Sequence, residues 1–392
     1  MPAKVIDVDL ASGPKSLTGL HGYNSACVLL RWNGLPVGRL ALPIRDGRIE
    51  GSVLWREVCE SLKERLARAV LDDWLPRHPR NLSTLPSATV AVCTRDRPVD
   101  VENCLRSICS TRSPALDILV VDNAPSDGRT KTVVQGFPVR YSVEPRPGLN
   151  WARHHAAKQA LGELVIYTDD DVVVDPDWAD QIRAAFDSPD VACVTGLVMP
   201  SELETDAQEV FEFTVGGFAR GFLPKRFTAS TIDPVAAANV GAGANMAFRR
   251  DLLLEMGLFA RELDVGTPAR AAGDTYAFFR VLDAGYTISY NPRALVWHRH
   301  RRDMQSLIST LRGYNVGTYV FLLRCLLEHR DPAAIHAGLW WLRYHLLRNL
   351  WRGIRGKRKT QPLALTLSEL CGLLDVPRAY IRSVRREQEA GR

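Results

Sequence analysis

Apolar positions recur at two different spacings along this chain, and the changes of spacing divide it into three regions. Up to about residue 50 they form short runs broken by turns. Val28-Leu29-Leu30-Arg31-Trp32 meets Asn33-Gly34, and Gly38-Arg39-Leu40-Ala41-Leu42-Pro43 follows. Asn-Gly between apolar runs predicts a β-hairpin. Leu54, Val58, Leu62, Leu66, Val70 and Trp74 then recur every fourth residue, which predicts an amphipathic helix. Pro76 and Pro79 end it, and Arg80-Asn81-Leu82-Ser83-Thr84 reads as a linker. Residues 1–85 are therefore read as an accessory region with no chemistry of its own.

From Ser87 the pattern changes to strands alternating with helices. Thr89-Val90-Ala91-Val92-Cys93, Ile118-Leu119-Val120-Val121, Val139 to Val143 and Leu164-Val165-Ile166-Tyr167-Thr168 are apolar runs of strand length. Helices are expected between them, at about 99–110 and 151–161. Such alternation predicts a parallel α/β sheet covered on both faces, whose ligands bind beyond the carboxyl ends of the strands. This region is taken as residues 86–302. Residues 303–392 read as helical, with an aromatic helix over Ala337 to Trp351 that carries Arg343, Arg348 and Arg352. That helix suits either a bundle packed on the catalytic domain, the reading we take first, or a basic amphipathic element on a membrane surface.

Composition narrows the function classes. The 392 residues are 46% hydrophobic and 24% charged, with a net charge of +6. The mild basic excess suits phosphate-bearing substrates or an anionic membrane but falls short of a nucleic-acid binder. Eight cysteines are scattered without zinc spacing, which favours free thiols and a reducing cytoplasm. No signal peptide is expected at the N-terminus. No apolar run approaches the roughly 18–20 residues of a membrane-spanning helix.

The strongest chemical signal is Asp169-Asp170-Asp171, directly after an apolar strand. Adjacent carboxylates repel one another and need a counter-charge at a buried strand end. A divalent cation supplies one, and hard oxygen ligands point to Mn2+ or Mg2+. The plain alternative is a solvated acidic loop or a helix cap.

With that triplet in place the chain resembles glycosyltransferase family 2. The segments that carry the likeness are Val90 to Pro98, Val120-Val121-Asp122-Asn123, Pro147 to Arg153, the Asp triplet and Gly241 to Arg250, in the family's order. Together they cover about residues 87–300. The resemblance implies an α/β GT-A fold, with a Rossmann-like nucleotide half joined to an acceptor half, and inverting transfer from a nucleoside-diphosphate sugar to an unknown acceptor. Position by position it implies that Thr94, Arg95, Asp122, Arg153, Asp169 and Asp170 line the nucleotide sugar. Asp122 is expected at the base or ribose. Asp171 is the expected metal ligand, with Asp169 beside it, and His298 completes the metal or diphosphate site, with His300 as a substitute. Asp274 corresponds to the second acid of the family's Glu-Asp pair and is the expected base. Gly273 stands where the first acid is usual, which puts in question how the acceptor is positioned. The rival for Asp274 is a plain helix N-cap.

Two rival functions are weighed against this one. A sugar-phosphate nucleotidyltransferase would need a Gly-rich phosphate loop after the first strand, and Thr94-Arg95-Asp96-Arg97-Pro98 has no glycine. A non-catalytic binding module would be expected to lack the triplet or Asp274, and both are present.

Overall fold

The computed structural model describes residues 2–13, 15–75, 85–113, 116–257, 259–357 and 360–390. The N-terminal region is a three-stranded sheet in the order β1 (Ala3–Asp9), β2 (Ser25–Trp32), β3 (Leu35–Pro43). Its hairpin turns at Asn33 and Gly34, with φ of 46° and 77°. Two positive φ values in succession match a type I′ turn, whose twist suits the flanking strands.

The single helix expected over 54–74 is instead two, Gly51–Ser61 and Lys63–Trp74, broken at Leu62 (φ −129°, ψ 5°). The spacing explains the break. At about 100° per residue a strict four-residue repeat drifts about 40° per step, so a straight helix cannot hold all six positions on one face. With the break, Leu54, Val58, Leu62 and Leu66 stay buried, while Trp74 ends 87% exposed. The expected linker at 80–84 lies outside the described residues.

The N-terminal sheet is packed on the larger one. Ala3, Cys27 and Leu29 share a buried apolar cluster with Leu197, Met199 and Leu295. Beside it, Arg31 pairs with Asp175 at 2.7 Å, both side chains being about nine-tenths buried.

The large sheet has nine strands among the described residues. Those labelled here are β4 (Ala88–Thr94), β5 (Asp117–Asn123), β6 (Arg140–Glu144), β7 (Leu164–Asp169), β8 (Val172–Val174), β9 (Val191–Pro200), β10 (Lys225–Phe227), β11 (Asn245–Arg249) and β12 (Thr287–His298). Their order is β10-β12-β9-β11-β7-β4-β5-β6, with β8 pairing β12. The half β7-β4-β5-β6 is parallel throughout, linked by helices such as Pro98–Cys109 and Leu149–Gln159. The expected α/β class therefore holds. β11 runs against both its neighbours, β7 and β9, so the sheet as a whole is mixed.

Two apolar clusters cover the sheet. One holds Val90, Val92, Leu105, Ile108 and Trp178; the other holds Ala91, Tyr167, Phe248, Phe278 and Phe279. The second extends into the C-terminal helices through Val316, Val320 and Phe321. Helix Met304–Leu327 packs along helix Leu363–Ala390, where Asn315 donates to the Glu369 carbonyl at 2.8 Å.

Candidate active site

The acidic triplet sits where β7 ends. Asp169 is the last strand residue, and the chain turns at Asp170 and Asp171 before β8. β8 pairs with β12 so that His298 lies opposite Val172, and the next amide, Arg299 N, donates to the Asp171 carbonyl at 3.0 Å. This register delivers the imidazole to the carboxylates. His298 Nε2 lies 3.3 Å from Asp171 Oδ1 and 3.9 Å from Asp169 Oδ2. One ligand atom from each of the three residues falls within 4.8 Å of the others.

The spacing and chemistry of this set fit a divalent cation. Metal–oxygen and metal–nitrogen bonds of about 2.0–2.2 Å place neighbouring ligand atoms roughly 3–4 Å apart. Burial drives His298 down to about 4, so its ring is neutral near pH 7, as a ligand must be. Burial and the charge of Asp171 push Asp169 up to about 7. Asp171 is buried too, but the cations around it hold its carboxyl below the usual range: His298, then Arg97, Arg301 and Arg299.

The chain also supplies a counter-charge that the sequence reading did not assign. Arg97 Nη1 lies 3.0 Å from Asp170 Oδ1 and 3.2 Å from Asp171 Oδ2. Asp170 points away from the His298 cluster, accepting from Thr94 Oγ1 at 2.7 Å. Burial raises it to about 6. The triplet is thus divided, with one acid held by Thr94 and Arg97 and two facing His298. The side chain of Arg95 is half exposed, its Nε 3.8 Å from Asp96.

Asp122 is the last residue but one of β5 and is fully buried. Tyr141 donates its hydroxyl to Asp122 Oδ2 at 2.8 Å, while Oδ1 is buried with no hydrogen-bond partner among the described residues. Burial raises this carboxyl above its ordinary value. A buried acceptor left open at the carboxyl end of a parallel strand is the kind of group a ligand donor satisfies. Next to it, Asn123 accepts from Gly148 N at 2.8 Å and donates to the Arg146 carbonyl at 2.7 Å. This contact fixes the entry to helix Leu149–Gln159.

Arg153 lies on that helix, is buried, and donates to Asp264 at 2.6 Å and to Asn150 at 3.2 Å. Its charge also acts on Asp169. Asp264 belongs to the loop Leu263 to Pro268, which carries no role in the sequence reading, and has a positive φ of 78°. Asp274 is the second residue of helix Gly273–Asp283, whose N-cap is Ala272. Its two oxygens accept from Thr275 N and Gly243 N, each at 2.7 Å. A Cβ on Gly243 would sit 2.7 Å from Arg153 Nη2 and 3.0 Å from Asp274 Oδ2, so a larger residue there would have to displace one or both of these side chains. His300 is turned away from the triplet and bonds Glu212 at 2.9 Å, and Glu212 also pairs with Arg39 of the N-terminal sheet.

Residues 89–257 match the family model for glycosyl transferase family 2. Over 120 residues the chain is 30% identical to the O-antigen biosynthesis protein RfbC of Myxococcus xanthus, covering 28% of this chain and 9% of that protein. Over 220 residues it is 24% identical to the succinoglycan biosynthesis protein ExoM of Rhizobium meliloti, covering 53% of this chain and 65% of that one. The chain thus spans less than two thirds of either relative. Among solved structures it is similar to mannosyltransferase PcManGT from Pyrobaculum calidifontis, in complex with GDP-Man and Mn2+ (18% identity, TM-score 0.49, 80% of this chain and 82% of that one). It is also similar to S. aureus TarS 1–349 in complex with UDP-GlcNAc (16% identity, TM-score 0.48, 75% and 81%).

Proposed function

Since residues 89–257 are a glycosyl transferase family 2 domain, we propose that this chain is a metal-dependent, inverting glycosyltransferase that takes its sugar from a nucleoside diphosphate. The observation that carries the reading is the meeting of Asp169, Asp171 and His298 at the ends of β7 and β12.

In this reading Asp169, Asp171 and His298 hold Mn2+ or Mg2+, and the nitrogen ligand favours manganese. When bound, the cation neutralises charge on the diphosphate as it departs. Asp122 Oδ1 accepts from an N–H of the base or a ribose hydroxyl. Thr94, Arg95 and Asp170 line the same strand ends. Arg97 keeps the acidic corner from repelling the phosphates. Asp274 takes the proton from the acceptor nucleophile as that atom bonds to the anomeric carbon from the face opposite the diphosphate. The bond to the diphosphate breaks with its electron pair, and the anomeric configuration inverts. The two amide contacts to Asp274 hold its carboxylate in one orientation, as a base needs. The sugar, the nucleotide base and the acceptor stay open in this proposal.

The test is a thermal-shift panel of uridine, guanosine and thymidine diphosphates and their sugar conjugates, with and without manganese. A ligand that binds only the folded chain raises its apparent stability by mass action. The proposal requires at least one nucleotide whose shift depends on the metal, and product with the inverted anomer by NMR. Retention of configuration, or no metal-dependent shift with any nucleotide, overturns it.

A further inference from the structure

The C-terminal helix Ala333–Trp341 runs on through a π-helical stretch, Leu342–Leu347, into Arg348–Ile354. One side of this continuous segment is committed to the fold. Trp341 Nε1 donates to Asn315 at 3.0 Å, Tyr319 donates to the Gly338 carbonyl at 3.0 Å, His345 meets Glu369 at 3.2 Å, and Leu346 is fully buried. The other side is covered by nothing among the described residues. Trp340, Tyr344, Leu347, Trp351 and Ile354 follow at steps of four, three, four and three residues, and all are 47–70% exposed. A soluble helix normally turns such a stripe inward.

The charges beside the stripe have one sign. Between Asp331 and Glu369 the chain has no Asp or Glu against seven Arg and Lys. Arg343, Arg348 and Arg355 are exposed, and Arg352 is half-buried. Arg355 lies 3.9 Å from the Trp351 ring centroid and Arg343 lies 5.6 Å from that of Tyr344. Aromatic side chains interleaved with cations suit the boundary between acyl chains and headgroups. No described helix is long and apolar enough to cross a membrane.

We propose that the outer face of 340–357 docks the protein on an anionic phospholipid surface. Trp340, Tyr344, Leu347, Trp351 and Ile354 enter the interface while Arg343, Arg348, Arg355 and Lys357 meet lipid phosphates. The alternative occupant, a second copy of the chain, would press two acid-free basic faces together. This inference does not depend on the identity of the transferred sugar, because the face lies outside the acidic corner.

The test is sedimentation of the full chain with vesicles of phosphatidylcholine alone or mixed with phosphatidylglycerol. The bound fraction should rise at least about tenfold with phosphatidylglycerol and fall as salt is raised, since each basic group contributes through a screened field. Trp340→Ser with Trp351→Ser should abolish binding. Arg348→Glu with Arg355→Glu should remove the preference for the anionic lipid. Both pairs should leave the melting temperature and the metal-dependent nucleotide shift unchanged. If either pair fails to fold, the comparison of the two vesicle types with unaltered chain decides alone. Equal partition to both vesicles, or none to either, overturns the proposal. So does a dimer in sedimentation velocity that the tryptophan pair dissolves.

Discussion

Arg153 on helix Leu149–Gln159 donates to Asp264 at 2.6 Å, and the two side chains are only 4% and 10% exposed. One residue comes from the helix after β6 and the other from the loop before helix Gly273–Asp283. Their ion pair joins the two sides of the candidate site. Breaking such a pair leaves a buried charge without a partner, which costs about 3–5 kcal/mol. Asp264→Ala should lower stability by that amount in urea unfolding. The double change Arg153→Leu, Asp264→Leu should recover most of it. A single variant within about 1 kcal/mol of the unaltered chain would contradict this assignment.

Asp122 gives a prediction about binding. Its buried Oδ1 has no partner among the described residues, so a ligand donor gains a charge-assisted bond there at little cost. Asp122→Ala should weaken nucleotide binding about tenfold to a hundredfold, the effect of losing a bond worth ~1.5–3 kcal/mol. Metal binding without nucleotide should not change. Calorimetry with manganese present reads both quantities, and an unaltered nucleotide affinity would remove Asp122 from the site.

The acidic corner also predicts how stability depends on pH. Asp169 is raised to about 7 and Asp170 to about 6, from 3.8. An acid whose pKa is raised by folding contributes stability that is present at low pH and lost as the pH rises through the folded value. His298, lowered to about 4 from 6.5, has the opposite slope below pH 6.5. Comparison with Asp169→Asn isolates the carboxyl. The metal-free chain should lose melting temperature relative to this variant between about pH 4 and pH 7. Saturating manganese should cancel the loss, because ligand carboxylates bind deprotonated. A difference that stays flat with pH would refute the shift at Asp169.

Asp274 separates binding from turnover. Asp274→Asn keeps an acceptor oxygen near Gly243 N but cannot take a proton. Donor binding should be retained while kcat falls by about 10²–10⁴, the usual contribution of a general base. Near-normal turnover would remove Asp274 as the base and leave it a structural residue at the start of its helix.

Much of the fold is legible in the sequence because its signals are local. Asn33-Gly34 encodes its own turn, and runs such as Val90 to Cys93 can be strands only if both faces are covered. The Asp triplet is legible because three carboxylates at a strand end demand a counter-charge. What stays hidden depends on contacts distant in sequence. Arg97 stands in a motif, but only the folded chain shows it reaching Asp170 and Asp171. Asp264 sits in a loop of Gly and Pro and becomes informative only when Arg153 is beside it. The break at Leu62 follows from a period of four where a helix needs 3.6, a signal present in the sequence and not read. The helix Leu363–Ala390, with Pro377 inside it, falls in the stretch read as helical, but its bounds are set by packing against Met304–Leu327.

The central claim is that Asp169, Asp171 and His298 hold a divalent cation against a diphosphate. Anomalous diffraction from crystals grown with manganese and the nucleoside diphosphate found by thermal shift tests it most directly. The account predicts one strong manganese peak among Asp169, Asp171 and His298, touching phosphate oxygens, and no peak there in Asp171→Ala. Nucleotide bound at β4 and β5 with no manganese at those three residues would contradict it.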